Sequence, residues 1–396
     1  MERKDWKKVS IGKICNVETG TTPSTKVKDY WEDGLIKWVT PTDLSKLGGK
    51  MTIKDTERKI TEQAVTDFSL KVMPKGSIIV SSRAPIGYIA ILEDAMAFNQ
   101  GCKGLIIRNQ NEIDNFYLSY QLLTKVNKMK SLGTGSTFSE ISKSQIENLQ
   151  VFLPPLTEQK KIAEILSTVD EAIEKVNEAI KKTERLKKGL MQDLLTKGIG
   201  HKEFKDTEIG RIPKEWVYST LGELIEVHDS KRIPLSEMER AKRKGKYPYC
   251  GANGIMDYID DYIFDGEFLL IAEDGGAYGK FENSCYLMNG KFWVNNHAHI
   301  IKAKDNQTIN KFLFYMLNFQ DLRPYIVGST RRKLNQEYLR QIYLPLPPLT
   351  EQKQIAEILG TVDERLEVLK NKKQKFEKIK KGLMNDLLTG RRRVKV

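Results

Sequence analysis

The chain has 396 residues, with 65 Lys and Arg against 52 Asp and Glu and a formal net charge of +13 at pH 7. That length accommodates two or three domains of roughly 100–200 residues, and no run approaches the ~18 consecutive apolar residues of a membrane span, so a protein of the cytoplasm that touches no membrane is expected. Four scattered cysteines without a CxxC pair fit neither a disulfide framework nor a zinc site, the charged start Met1-Glu2-Arg3-Lys4-Asp5-Trp6 is no secretory signal, and the basic surplus points to a polyanion, nucleic acid first.

In chain order, residues 36–40, 76–80, 89–92 and 104–107 read as short strands closed by turns. Residues 115–129 then carry Phe116, Leu118, Tyr120, Leu122, Leu123 and Val126 at helical spacing. Beyond the Pro154-Pro155 pair comes a long helix, with Thr157 as the expected N-cap. Its apolar residues Ile162, Leu166, Val169, Ile173, Val176 and Ile180 step by four and three, which is the seam of a coiled coil. A second mixed stretch offers strands at 268–271, 292–294 and 299–301 and a helix at 309–318. A second long helix follows Pro347-Pro348, with Thr350 as its expected N-cap and a seam of Ile355, Leu359, Val362, Leu366 and Leu369, then Lys373 and Phe376.

The two long helices are copies of each other. Residues 154–196 and 347–389 align without gaps at an offset of 193, with about 28 of 43 positions identical. A weaker echo precedes each copy, GSTFSEISKSQIENLQVFLPP at 135–155 and GSTRRKLNQEYLRQIYLPLPP at 328–348. Another opens each unit, from Trp6 through Ser10-Ile11-Gly12 and from Trp216 through Thr220-Leu221-Gly222. The expected architecture is α+β: two mixed α/β units separated by two long antiparallel coiled-coil helices related by a pseudo-twofold. At 1.5 Å per residue, roughly 33 helical residues span about 50 Å. The boundaries expected are 1–153 and 198–346 for the units, 154–197 and 347–390 for the helices, and 391–396 for a basic tail.

Polar, glycine-rich stretches fall at matching places in the two units: 81–87 and 272–279, 99–103 and 295–298, 133–137 and 328–333. Asn, Gln and Arg can read base edges bidentately, while Ser, Thr, Lys and backbone amides suit phosphates. No enzyme constellation assembles beside them. There is no GxxxxGK[ST] loop, His297 and His299 alternate along one strand and face opposite ways, and Glu273-Asp274 lacks a partner base or metal set. No metal site is expected.

The doubled PLPPLTEQ…IAEIL…VDE…KKGLM.DLLT helix, each copy following a diverged unit that ends in GST, resembles the specificity (S) subunit of type I restriction–modification systems over essentially the whole chain. The resemblance implies two target-recognition domains, each reading one half of a bipartite, asymmetric double-stranded DNA site, with the helices setting the spacer. It implies a chain without catalysis of its own that docks two modification (methyltransferase) subunits, which use S-adenosylmethionine to methylate adenine. Restriction subunits using ATP and Mg2+ would complete the complex; a modification-only system or a structural coiled-coil adaptor are the alternatives. Half-sites about one DNA turn apart, near 34–36 Å, would suit the rod. The residues expected at DNA are Arg83, Asn99, Gln100, Lys103, Ser136 and Thr137 in the first domain. In the second they are Asn253, Tyr278, Asn296, His297, Arg331, Arg332 and Lys333. The helix ends around Leu190, Met191, Leu194, Leu383, Met384 and Leu387, with the outward residues Lys160, Lys161, Glu164 and Glu171, are expected to meet protein partners.

Overall fold

The structure is a computed structural model and describes residues 6–133, 140–328 and 332–395. The chain divides into two compact units, Met1–Glu178 with Asn371–Val396 and Ala179–Lys370, so that the division cuts through both long helices.

The first unit is built on a five-stranded sheet in the order Cys15–Thr19, Cys102–Ile107, Ile78–Ser81, Ile89–Leu92, Thr52–Ile53. Only the last pair is parallel. Its central strands are buried throughout, because both faces are covered: Ile78 and Val80 enter one core, and Ile79 between them enters another. That is the two-residue period of a strand sending alternate side chains to opposite faces. The second unit repeats the plan with four antiparallel strands, Ile225–Val227, Ala298–Ala303, Phe268–Ala272 and Cys285–Met288. Leu269 and Ile271 point into one core and Leu270 into the other. The opening echo is explained by a closing strand pair in each unit: Lys7–Ser10 with Gln150–Leu153, and Val217–Thr220 with Tyr343–Leu346.

Every strand expected from the sequence is present, with ends moved by up to two residues. The helix expected at 115–129 is broken into Asn115–Leu123 and Val126–Leu132. At the break the Thr124 hydroxyl donates to the Gln121 carbonyl at 2.6 Å, a local bond that competes with helix continuation. The sequence also gave no sign of the hairpin formed by Lys244–Gly251 and Gly254–Ile259.

The long helices run Leu156–Lys197 and Leu349–Leu387. Thr157 and Thr350, expected as N-caps, already lie inside the helices and neither is the cap. The first helical bonds are accepted by Pro155 and Pro348, from the amides of Gln159 and Gln352. Those two glutamines fasten the helix starts to the chain that leads into them. Each is buried and donates its Nε2 back to the carbonyl of the preceding proline, Pro154 or Pro347, at 2.8 and 3.0 Å. The neighbouring glutamates, Glu158 and Glu351, are also buried and receive the indole N–H of Trp6 and Trp216. The repeated Glu-Gln therefore ties each helix start to its own unit.

Within each unit the start of one helix packs against the end of the other, in opposite directions. In the first, Ile162 and Leu166 meet Leu383, Met384, Leu387 and Leu388, and Lys380 pairs with Asp170 at 2.5 Å. In the second, Ile355 and Leu359 meet Leu190, Met191, Leu194 and Leu195, and Lys187 pairs with Asp363 at 2.6 Å. A tyrosine from the preceding helix completes each pair: Tyr120 donates to Asp170 at 2.7 Å and Tyr315 to Asp363 at 2.8 Å. Burial, with the adjacent carboxylates, pushes both phenols well above their ordinary range, so they remain donors.

One expectation is corrected here. Leu190, Met191, Leu194, Leu383, Met384 and Leu387 are not a free docking face: the four-and-four spacing widens the apolar stripe so that it closes onto the unit's own core. In the basic tail, Arg391 and Arg392 are exposed while Arg393 donates from two nitrogens to Glu158 at 2.7 and 2.9 Å.

Candidate nucleic-acid interface

The matched polar stretches of the two units build one backbone frame twice. At the end of the central strand, the Ser82 amide donates to the Gly101 carbonyl and the Ser82 carbonyl accepts from Ile141, at 2.8 and 2.9 Å. In the second unit Glu273 makes the same two bonds with His297 and Leu334, at 2.9 and 2.8 Å. The connecting loop is held by an asparagine in both: the Asn99 carbonyl oxygen accepts from the Gly101 amide at 2.6 Å, and Asn295 accepts from His297 at 2.8 Å. Such a side chain mimics a backbone turn.

On this common frame the side chains differ in sign. A bridge joins Arg83 to Glu140 in the first unit and Asp274 to Lys333 in the second, so cation and anion have exchanged places. Arg83 Nε lies 2.8 Å from Glu140, and Lys333 Nζ 3.5 Å from Asp274 and 3.4 Å from Glu273. Beneath each bridge is a buried nitrogen group. Lys103, only 3% exposed, reaches Glu140 at 3.0 Å; His299 bonds Asp229 through Nδ1 at 2.5 Å and the Leu334 carbonyl through Nε2 at 2.6 Å. Burial opposes the charge on Glu140 and Asp229. Hydrogen bonds (from Arg83 and Lys103 to Glu140, from His299 and the Ile300 amide to Asp229) and the nearby Arg83, Lys103 and Arg232 charges outweigh it and hold both carboxyls below the ordinary range.

The predicted site residues therefore separate into tips and supports. Arg83, Gln100, Asn253, Asn296, His297 and Arg332 reach the surface around the two frames. Asn99 and Lys333 are partly exposed but bonded within the frame, Asn99 also to Thr22 at 3.0 Å. Two assignments change. Lys103 is buried in its ion pair and steadies the bridge from below, out of reach of a phosphate. Tyr278 is buried as well, its hydroxyl donating to the Ala272 carbonyl at 3.1 Å and its ring lying against Gly276. Ser136, Thr137 and Arg331 lie outside the described residues.

Residues 3–184 and 213–378 match the family described as the type I restriction modification DNA specificity domain. The chain belongs to that family. Among its relatives, the specificity subunit of the type I restriction enzyme MjaIX from Methanocaldococcus jannaschii is 29% identical over 99% of this chain and 94% of its own length. The specificity subunit of EcoprrI from Escherichia coli is 25% identical over 91% and 87%. In fold, the crystal structure of an S subunit of a type I restriction–modification system from M. genitalium superposes with a TM-score of 0.67, at 16% identity, over 97% of this chain and 96% of that one. A second chain, from work on complex assembly and conformational transition of the type I R-M system, gives 0.54 at 17% identity over 97% of both.

For a specificity-family chain, the surface charge is organised more locally than its sequence runs suggest. Arg232 is bound to Glu273 at 2.7 Å, Arg240 to Asp257 at 3.5 Å, Arg243 to Asp260 at 2.9 Å and Lys244 to Asp257 at 2.6 Å. The basic runs of the second unit thus neutralise carboxylates beside them, which dilutes their long-range pull on a polyanion. The four cysteine thiols are buried, and burial pushes Cys15 and Cys250 up to about 12, so they stay protonated. Among the described residues, no group of three or more His, Cys, Asp or Glu is placed to hold a metal, and no helix is long and apolar enough to cross a membrane.

Residues that the sequence reasoning passed over include Asn295, Glu140 and the polar anchors Glu158, Gln159, Asp170 and Lys187 with their copies Glu351, Gln352, Asp363 and Lys380. The anchors carried a usable signal. They are identical at the 193-residue offset, among positions where a solvated helix face had drifted.

Proposed function

We propose that the chain is the DNA-specificity subunit of a type I restriction–modification complex and performs no catalysis itself. Each unit reads one half of a bipartite, asymmetric double-stranded DNA site. The observation that carries this reading is the doubled frame: one backbone scaffold presenting Arg83 over Glu140 in one unit and Asp274 beside Lys333 in the other. One scaffold with two sets of tips is what two different half-sites require. Partner subunits would bring the chemistry, modification subunits using S-adenosylmethionine and restriction subunits using ATP and Mg2+. Methylome sequencing of cells expressing this chain with its modification partner is expected to return one two-part motif. Gel shifts across salt concentrations should show that preference over a salt-dependent background. Binding with no sequence preference would leave only an adaptor role.

The docking face for the modification subunits shifts from the buried ends to the outside of the same helices. Leu186 and Ile379 are equivalent at the 193-residue offset and remain 55% and 48% exposed. Gly189 and Gly382, three residues on, have open space where a side chain would stand. A glycine in a helix interior costs about 1 kcal/mol relative to alanine, and neither position needs one for the fold. An open apolar-and-small face occurring twice suits close approach by two copies of a partner helix. Leu186→Glu or Ile379→Glu alone is expected to leave one methyltransferase subunit bound, and the double variant none, in native mass spectrometry. Both variants should melt as the parent does; two subunits retained by the double variant would place docking elsewhere.

A further inference from the structure

We infer that a pocket beside the second unit's frame reads an A·T base pair, taking the thymine methyl group on Ile255 and Met256 and the adenine amino group on His297. The inference rests on the DNA reading proposed above and names the chemistry of one of its contacts.

The pocket holds about 400 Å³ between the Lys244–Gly251/Gly254–Ile259 hairpin and the frame. Ile255 and Met256 are 47% and 59% exposed, an apolar pair with no core to cover, at the place where polar tips cluster. The hairpin is fixed in position. Asn253 Nδ2 donates to the Gly275 carbonyl at 3.0 Å, the Tyr286 hydroxyl donates to Gly251 at 2.6 Å, and Asn295 Nδ2 donates to the Met256 sulfur at 3.4 Å. Met256 lies so close over Gly251 that a side chain at 251 would displace it. A rigid apolar wall of this kind loses little entropy when it is covered.

The opposite wall supplies the polar half. His297 Nδ1 lies 2.7 Å from an Asp274 oxygen, and a carboxylate only accepts, so Nδ1 carries the proton. In the neutral ring Nε2 is then an acceptor. An acceptor beside an apolar wall matches one base pair in the major groove. Across its major-groove edge A·T offers the adenine N6 amino donor, then the thymine O4 acceptor, then the thymine methyl; cytosine offers a donor without a methyl, and guanine offers neither.

The test uses the assembled chain and modification partner on synthetic duplexes carrying its own motif, with each thymine of the second half-site replaced in turn by deoxyuridine. One position is expected to lose about fourfold in affinity, the worth of one buried methyl. Met256→Ala and Ile255→Ala should abolish that sensitivity, and His297→Ala should relax the choice of base at the same position. Unchanged preference for the first half-site shows that the variants are folded. Overturning results are a second half-site with no methyl-sensitive thymine, or a sensitivity that survives Met256→Ala while the motif itself stands. A parent complex with no motif at all would overturn the DNA reading as well.

Discussion

Replacing Glu351 with alanine is expected to destabilise the second unit by about 2 kcal/mol, since a buried donor left without an acceptor, here the Trp216 indole, costs roughly 1–3 kcal/mol. Glu351 gathers three groups at the exit of the first long helix. Trp216 Nε1 donates to it at 3.0 Å, the Ile199 amide at 2.8 Å, and His201 Nε2 lies 3.0 Å from both of its oxygens. Gly198, at φ +67, brings the chain round to this carboxylate and has no room for a side chain between Glu351 and Trp216. Glu158 does the same for the exit of the second helix, holding Trp6 and Arg393. Its loss should cost less, because Arg393 is 38% exposed and can return to water and Trp6 keeps some exposure, whereas the Trp216 indole is fully buried. Denaturant melts followed by tryptophan fluorescence would check this; equal losses for Glu351→Ala and Glu158→Ala would mean that burial does not set the difference.

The parts of the fold legible in the sequence were those written in periodicity. Ile162, Leu166 and Val176, like Ile355, Leu359, Leu366 and Leu369, are buried along the seam as their spacing required. The strand runs survived because a strand covered on both faces is apolar at every position, as in Ile78-Ile79-Val80. What failed was the reading of single polar or aromatic residues in loops. Lys103 looks like any basic loop residue until Glu140, 37 positions on, is seen to bury it, and Tyr278 sits in a glycine run that gives no hint of the ring folding back on Gly276. The hairpin was hidden by its own composition: Lys244-Gly245-Lys246 and Pro248 break the strand pattern, and its exposed Ile255 and Met256 cover no core. The exchange of charge between the two bridges was beyond a linear reading, since only the backbone pairing of 82 with 141 and 273 with 334 reveals which residues correspond.

Inserting four residues into both long helices, after Glu178 and after Lys370, is expected to lengthen the spacer between the half-sites while leaving both half-site sequences unchanged. These two points are where the chain divides into its units, and both fall inside unbroken helix. Neither insertion touches a frame, and each unit keeps its own lysine–aspartate pair, Lys380 with Asp170 and Lys187 with Asp363. Four residues add about 6 Å and overshoot a full turn by roughly 40°, whereas three fall about 60° short, so four disturb the seam less. An insertion in one helix alone leaves unequal helix lengths across the same division. That variant should lose modification without gaining a new motif. Methylome sequencing separates the outcomes: an unchanged spacer in the double insertion would show that something other than helix length measures the distance. Altered half-site sequences would show that the frames and the helices are not independent, contrary to the separate core each unit possesses.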